Sequence, residues 1–298
     1  MERGYPGPGV IERDFPVDVL PDRGGQARAW LDSAERGEVP PAGPVRLAAT
    51  VMLLRDGPGG VEVFMMRRAA TMVFAAQMMV FPGGAVDPAD TDACAALPDE
   101  AVAAWAARHG VDATLARAVL VAAVREVYEE VGVLLAHPTT AGADAAGRSG
   151  AWSGDAETRT ALASGARSLP EVLDGAGLQL APDDLVVRAH WVTPLFERRR
   201  FDTWILAAAL PPGQEVAEVS GEADQSAWVR PQDVLDAMAS GTAYLLPPTM
   251  VCLEELASAG SAAAYLSGTG SVPCIMPVLV RGAASEVILR TATCPEPV

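Results

Sequence analysis

The stretch REVYEEVG (Arg125–Gly132) decides how this chain folds, and it ends a long run of helix-forming residues. The run starts at Asp112 and continues as ATLARAVLVAAV. Glycine at position 132 is a common helix stop. The sequence therefore predicts one long helix between Asp112 and Gly132.

The acidic residues of this stretch fall on one side of the predicted helix. At about 100° per residue, Glu126, Glu129 and Glu130 share an arc of about 100°. The opposite arc carries apolar side chains, namely Val124, Val127, Tyr128 and Val131. We therefore expect a helix that buries one side and projects three carboxylates from the other.

Three carboxylates on one face are unfavourable without a counterion. Like charges three and four residues apart repel, and the negative end of the helix dipole adds to the repulsion. Arg125 can reach Glu129 one turn away but neutralises only one acid. Hard divalent cations prefer all-oxygen ligands, so the pattern indicates Mg²⁺ first and Mn²⁺ second. A solvated acidic helix in a structural or interaction protein is the alternative.

The sequence around the acids alternates between strand-like and helical patterns. A short apolar run leads into FPGG (Phe81–Gly84), which predicts a tight loop after a strand. Further predictions are a hairpin from Arg46–Arg55 and Val61–Arg67, a helix ending at Gly110, strands at Val186–Val192 and Thr203–Leu210, helices at Pro231–Ala239 and Leu253–Ala264, and a closing hairpin from Ile275–Val280 and Val287–Leu289. Strands interleaved with helices around one core predict a mixed α/β sandwich.

Composition excludes several classes of function. The formal net charge is −16, which disfavours nucleic acid polymers as partners. The chain contains no lysine, so P-loop and Schiff-base lysine chemistry is excluded. The four cysteines (Cys94, Cys252, Cys274 and Cys294) lack C-x-x-C spacing, which predicts reduced thiols rather than a zinc site or disulfides. With no long apolar stretch, we expect a cytoplasmic protein with no membrane partner.

FPGG and REVYEEVGV together resemble the box of the Nudix hydrolase superfamily, G-x5-E-x7-R-E-U-x-E-E-x-G-U, where U is aliphatic. The resemblance implies an α+β fold with a mixed-sheet α/β/α sandwich, and Mg²⁺-dependent hydrolysis of a small-molecule diphosphate. It implies that Glu129 and Glu130 are metal ligands, that Glu126 is a ligand or base, and that Arg125 orients the acids. Gly83 or Gly84 would offer a backbone carbonyl to the metal.

The spacing departs from the pattern of the box. Arg125 lies 41 positions after Gly84, against 14 in the box, so 27 residues are added. No glutamate stands at the first acidic position of the box; Asp90, six residues after Gly84, could substitute for it but is not selected as a site residue. An insertion here is similar to the acyl-coenzyme-A diphosphatase branch, which implies coenzyme A or acyl-CoA as substrate. That branch's signature before FPGG is interrupted at Val73 and Gln77.

Other residues are candidates for roles beside the box. Glu222 follows a predicted strand and is a second candidate base. Arg67, Arg68 and Arg200 are candidate contacts of the substrate phosphates, together with Gly83. His190 is interpreted as a structural histidine of its strand.

The predicted organisation is an N-terminal extension over residues 1–44 and a single domain over residues 45–298. Helical insertions are expected near 90–112 and 138–180, with a C-terminal helical and hairpin segment. A non-catalytic module of the same fold that senses a nucleotide or an ADP-ribose derivative is a second functional interpretation. A homodimer is left open.

Overall fold

The computed structural model describes residues 12–17, 24–39, 41–68, 78–92, 97–139, 156–217, 223–268 and 272–294. Its strands are Asp14–Pro16 (β1), Val45–Gly57 (β2), Gly60–Arg68 (β3), Met79–Val80 (β4), Gly83–Ala85 (β5), Ala136–Pro138 (β6), Leu178–Leu180 (β7), Val186–Val192 (β8), Arg200–Ala209 (β9), Ala223–Val229 (β10), Cys274–Ile275 (β11), Val278–Arg281 (β12) and Val287–Arg290 (β13). Its helices are Gly24–Glu35 (α1), Pro88–Asp92 (α2), Asp99–His109 (α3), Ala113–Val131 (α4), Ala156–Ala163 (α5), Leu169–Ala176 (α6), Pro231–Ala239 (α7), Pro247–Ala259 (α8) and Ala262–Leu266 (α9).

The central sheet is mixed, with strand order β10-β3-β2-β9-β8-β11. β2 pairs antiparallel with β3 and parallel with β9, so the long second strand forms the middle of the sheet. The short strands β4 and β5 pair with β3 and β2 on either side of the FPGG loop. The predicted mixed sheet is confirmed.

Successive side chains of the central strands point to opposite faces of the sheet, and each face packs against helices. On one face, Val51 and Leu53 join a core with α3, α4 and α6; on the other, Met52 and Leu54 join a core with α1, α8 and α9. The predicted α/β/α sandwich is therefore confirmed. Among the helices described, none has the length and apolarity needed to cross a bilayer.

Helix α4 begins and ends where its capping residues predict. The Asp112 side chain accepts a hydrogen bond from the Leu115 amide at 2.9 Å, which satisfies one of the open N–H groups of the first turn. Gly132 takes a left-handed conformation, φ 72°, and its amide donates to the Tyr128 carbonyl. These local signals explain why the helix was predictable.

The C-terminal half differs from its predicted elements in two places. The single helix expected over Leu253–Ala264 is two helices, α8 and α9, because Gly260 adopts a left-handed conformation that ends the first. The closing hairpin is β12 with β13, while β11 joins β8 in the central sheet. Pro277, which has no N–H to donate, separates β11 from β12.

The N-terminal segment packs against this C-terminal hairpin. β1 pairs antiparallel with β13, and Arg290 forms a two-pronged ion pair with Asp14 at 2.7 and 2.8 Å. Arg281 on β12 donates to Glu35 on α1. The division of the chain at residue 44 stays a prediction, and the described part of residues 1–44 is joined to the last strands.

The expectation of reduced thiols is wrong for two of the cysteines. Cys274 and Cys294 form a disulfide, with their Cα atoms 5.4 Å apart. Their 20-residue separation gave no sign of it, because the β12–β13 hairpin returns the chain to its starting point. The Cys294 amide donates to the Cys274 carbonyl at 2.9 Å, so the backbone brings the two thiols together. Cys252 is a free, buried cysteine.

Reduction of this disulfide should lower the free energy of unfolding by about 3 kcal/mol, because a closed loop of about 20 residues restricts the unfolded chain. Urea unfolding with and without reductant measures the difference. Cys274→Ser should unfold at the same urea concentration whether or not reductant is present. Identical curves for the wild-type protein in both buffers would contradict the assignment.

Candidate active site

Helix α4 buries the face that the sequence predicted to be apolar. Val124, Val127 and Val131 are inaccessible to solvent, and Tyr128 is 1% exposed. These side chains anchor α4 on the central sheet. The three carboxylates therefore have a fixed backbone beneath them.

Two of the three acids contact the FPGG loop (Phe81–Gly84), which we call the glycine loop. The Gly83 amide donates to Glu130 Oε2 at 2.8 Å. A Cβ built on Gly84 would lie 2.4–2.7 Å from the carboxylate atoms of Glu126, so that carboxylate lies directly against the Gly84 backbone. The loop keeps its place because β5 pairs with β2 in the central sheet. The predicted meeting of the acid helix and the FPGG loop is present in the structure.

Arg125 connects the acids to one another. Its Nη1 donates to Glu126 Oε1 at 2.9 Å and to Glu129 Oε2 at 3.2 Å. Its Nη2 donates to the Ala85 carbonyl at 3.1 Å, beside the glycine loop. The guanidinium thus holds two carboxylates side by side and fixes them relative to β5; its role in orienting the acids for chemistry stays a prediction.

Asp90 is the residue that sequence reasoning did not select. It lies on α2, is 2% exposed, and accepts from Arg125 Nε at 2.8 Å and Nη2 at 2.9 Å. A two-pronged, buried pair of this kind fixes the plane of the guanidinium. The signal was present in the sequence, since Asp90 stands six residues after Gly84, the interval at which the resembled box places its first acid.

Loss of the Asp90 carboxylate should be costly because it leaves the buried Arg125 charge with less compensation. We expect Asp90→Ala to lower the free energy of unfolding by about 3 kcal/mol. The matched control is Asp183→Ala, which breaks an exposed pair with Arg108 and should cost less than about 1 kcal/mol. Chemical denaturation of both variants measures the difference in the free energy of unfolding. Equal losses would contradict a stabilising role for the Asp90–Arg125 pair.

The electrostatics of the cluster favour an added cation. Burial raises the pKa of Glu126 to about 7; the Arg125 guanidinium opposes this rise and the charge of Glu129 adds to it. Burial also raises the pKa of Glu129, again opposed by Arg125. Three carboxylates, those of Asp90, Glu126 and Glu129, contact a single guanidinium, so one positive charge does not balance them.

The donor atoms of the cluster fit a divalent cation in chemistry, although they are not yet arranged around one. Within the ranges that the structure describes, no group of three or more His, Cys, Asp or Glu side chains is already arranged to hold a metal ion. The chemistry nevertheless fits, because the donors are all oxygen, and Glu126 and Glu129 each use only one carboxylate oxygen toward Arg125. The Glu126 carboxylate also fills the space where Gly84 lacks a side chain.

The candidate phosphate contacts lie in different places. Arg67 and Arg68 end β3, and Arg67 pairs in register with Met79, just before the glycine loop. Phe64 and Met66 point to the α4 side of the sheet, so alternation places Arg68 on that side and Arg67 on the other. Of the two, Arg68 is on the face that carries the acids.

Arg200 is not brought to the cluster. Its side chain is buried, and it donates to the Thr193 carbonyl at 3.1 Å and to the Gly43 carbonyl at 3.3 Å. These contacts tie loops together at the start of β9 and give no support to a phosphate-binding role. In the sequence, Arg200 is the last residue of a basic triplet, Arg198 to Arg200, and residue type alone does not show which of the three turns inward.

Three further predictions have different outcomes. Glu222, the second candidate base, lies outside the described residues. The amide of Gly83, a candidate phosphate contact, donates its hydrogen bond to the carboxylate of Glu130. His190 is paired with Asp202 and stacked on Trp204 with ring centroids 4.1 Å apart, which fits its interpretation as a structural residue.

Comparisons with known proteins agree with this architecture. No family model matches the chain. The crystal structure of a NUDIX hydrolase from Alicyclobacillus acidocaldarius is similar over 78% of this chain and 99% of that one, with 28% identity and a TM-score of 0.62. Putative nudix hydrolase 7 of Caenorhabditis elegans is 29% identical over 190 residues, which cover 64% of this chain and 53% of the relative. The chain thus spans about half the length of that curated relative.

The fold is therefore of the Nudix type. Both of these similar proteins are named as Nudix hydrolases, and the acid helix beside its glycine loop agrees with that similarity. A more distant neighbour, the NUDIX domain of Shewanella oneidensis NrtR solved with ADP ribose, has 13% identity and a TM-score of 0.37, a similarity too low to indicate a ligand.

Proposed function

We propose that this protein hydrolyses the diphosphate linkage of a small nucleoside diphosphate derivative and that it requires a divalent cation, Mg²⁺ or Mn²⁺ in its place. The observation that carries the proposal is that Glu126 and Glu130 contact the glycine loop, while Arg125 holds Glu129 beside Glu126. Such an arrangement gathers negative charge where a bound cation and a diphosphate would offset it.

The chain's own residues supply a rigid frame for this chemistry. Glu126, Glu129, Glu130 and the Gly84 carbonyl would hold the cation. When bound, the cation supplies charge neutralisation for the diphosphate and lowers the pKa of a water molecule. Arg125 keeps two of the acids in place through hydrogen bonds at 2.9 and 3.2 Å. Glu126, or Glu222 in its place, would orient the attacking water for in-line displacement at phosphorus.

The substrate belongs to the class in which two phosphates are joined by an anhydride oxygen. Coenzyme A or acyl-CoA is the candidate substrate, because the insertion inside the box resembles that of the acyl-coenzyme-A diphosphatase branch. In a chain of net charge −16, an anionic substrate needs a local positive group. Arg68, on the α4 side of the sheet, is the residue we assign to a phosphate contact, and Arg67 is the second candidate.

A substrate screen tests the proposal. The panel contains CoA, acyl-CoA, NADH, ADP-ribose, diadenosine polyphosphates and oxidised nucleotides, each with Mg²⁺, with Mn²⁺ and with chelator, and products are identified by mass. We expect cleavage of at least one compound to two phosphorylated products, only when the cation is present. Cleavage that persists in chelator would contradict cation dependence.

The same screen separates the hydrolase from a sensing module of the same fold. A sensor would bind one of these compounds, measured by calorimetry, and return it intact after prolonged incubation. The three acids at the loop favour the hydrolase, because a binder of an anionic ligand gains nothing from carboxylates beside the phosphates.

A further inference from the structure

The C-terminal end of α4 carries two of the proposed cation ligands in its last turn. Glu129 and Glu130 stand two and one residues before Val131, where the helix ends. The last carbonyls of a helix have no partner within it, and terminal turns open more readily than the middle. Ligands in such a turn are positioned only as well as the turn itself is held.

In this protein each of the last four carbonyls has a partner. The Tyr128 carbonyl accepts from the Gly132 amide at 3.0 Å, and the Val131 carbonyl accepts from the Ala217 amide at 2.9 Å. The Glu129 and Glu130 carbonyls, which lie between these two in the chain, both accept from the side chain of Arg159 on α5.

Arg159 binds the backbone of the two ligand residues directly. Its Nε donates to the Glu129 carbonyl at 2.7 Å, and its Nη2 donates to the Glu130 carbonyl at 2.5 Å. A guanidinium donates two hydrogen bonds in a fixed geometry, so it sets the spacing of two neighbouring carbonyls. Its charge also opposes the negative end of the helix dipole, which the adjacent acids reinforce.

We propose that Arg159 is a positioning residue for the cation site: it locks the last turn of α4 and thereby holds the Glu130 carboxylate at the glycine loop and the Glu129 carboxylate at Arg125. The role belongs to α5, which lies in the predicted 138–180 insertion, so this added helix completes the site. The cation affinity part of the proposal rests on the proposed function; the locking of the turn does not.

The experiment compares Arg159→Gln and Arg159→Lys with the wild-type protein. Arg167→Gln is the matched control, because Arg167 follows α5, is partly exposed like Arg159, and also donates to a backbone carbonyl, that of Glu171. Amide hydrogen exchange of the peptide covering 126–133 measures opening of the last turn. Mn²⁺ titration followed by electron paramagnetic resonance measures cation affinity.

We expect Arg159→Gln to raise exchange in that peptide about tenfold and to weaken Mn²⁺ binding about tenfold, since two charge-assisted hydrogen bonds are lost. Arg159→Lys keeps the charge but not the fixed pair of donors, and should restore part of both. With substrate, the cation concentration for half-maximal rate should rise, while kcat at saturating cation and KM stay within about twofold. Arg167→Gln should match the wild type throughout.

Two results would overturn the proposal. One is unchanged exchange at 126–133 in Arg159→Gln. The other is faster exchange with an unshifted Mn²⁺ affinity, which would make Arg159 a purely structural cap. If Arg159→Gln does not fold, Arg159→Lys must show the intermediate shifts. If no diphosphate is cleaved by the wild type, the proposed function fails, while exchange and Mn²⁺ binding still decide the role of Arg159.

Discussion

Glu129→Gln should lower the rate of diphosphate cleavage by at least about 1,000-fold, which corresponds to about 4 kcal/mol of transition-state stabilisation. Glutamine keeps an oxygen that can accept from Arg125 but carries no charge to hold a cation beside a diphosphate. Steady-state kinetics with saturating Mg²⁺ on the cleaved substrate measures the loss. The fold should be preserved, because the two residue types have similar helix propensities.

Glu100→Gln is the control for this substitution. Glu100 is an exposed acid in the first turn of α3, which packs beside α4, so the variant removes the same charge from the same layer. We expect its kcat and KM to equal those of the wild type. Retained turnover in Glu129→Gln, with circular dichroism unchanged, would remove the acid helix from the mechanism.

Gly84→Ala should lower turnover about 100-fold without unfolding the protein. The three atoms nearest the new methyl group would be those of the Glu126 carboxylate, at 2.4–2.7 Å, and that flexible side chain would turn away from the loop. Misplacement of a catalytic group by about 1 Å costs rate on this scale. We expect the free energy of unfolding to change by less than about 1 kcal/mol, as measured by urea denaturation beside the kinetics.

Gly83→Ala provides the contrast. Gly83 has φ of 153°, which alanine rarely adopts, and an added Cβ would lie 2.4 Å from the Ala49 carbonyl oxygen and 2.6 Å from the Thr50 Cα atom. Backbone atoms of the central sheet cannot move aside, so this variant should be destabilised by about 3 kcal/mol. If Gly84→Ala were the less stable of the two, the contact assigned to Glu126 would be wrong.

The parts of the site that sequence predicted are those fixed by neighbouring residues. The bounds of α4 follow from Asp112 and Gly132, and the carboxylate face follows from helical periodicity. The hairpin of β2 and β3 was likewise predictable, because its turn joins strands that are adjacent in the chain. In each case the determining interaction spans only a few residues.

The parts that sequence did not predict depend on contacts across long separations. Asp90 reaches Arg125 across 35 residues, and Arg159 reaches the end of α4 from 29 and 30 residues away. The Cys274–Cys294 disulfide depends on the β12–β13 hairpin, which brings together two cysteines that are 20 residues apart in the chain. The inward position of Arg200, which gives its phosphate-binding role no support, was not predictable because burial of a charged side chain is a tertiary outcome that the residue type does not reveal.

The central claim is that the acids at the glycine loop hold a divalent cation. Its most direct test is anomalous X-ray diffraction from crystals grown with Mn²⁺, for the wild type and for Glu129→Gln. We predict an anomalous peak between the carboxylates of Glu126, Glu129 and Glu130 and the Gly84 carbonyl, strongly reduced in the variant. A wild-type map without a peak there, or a peak of equal height in both proteins, would contradict the claim.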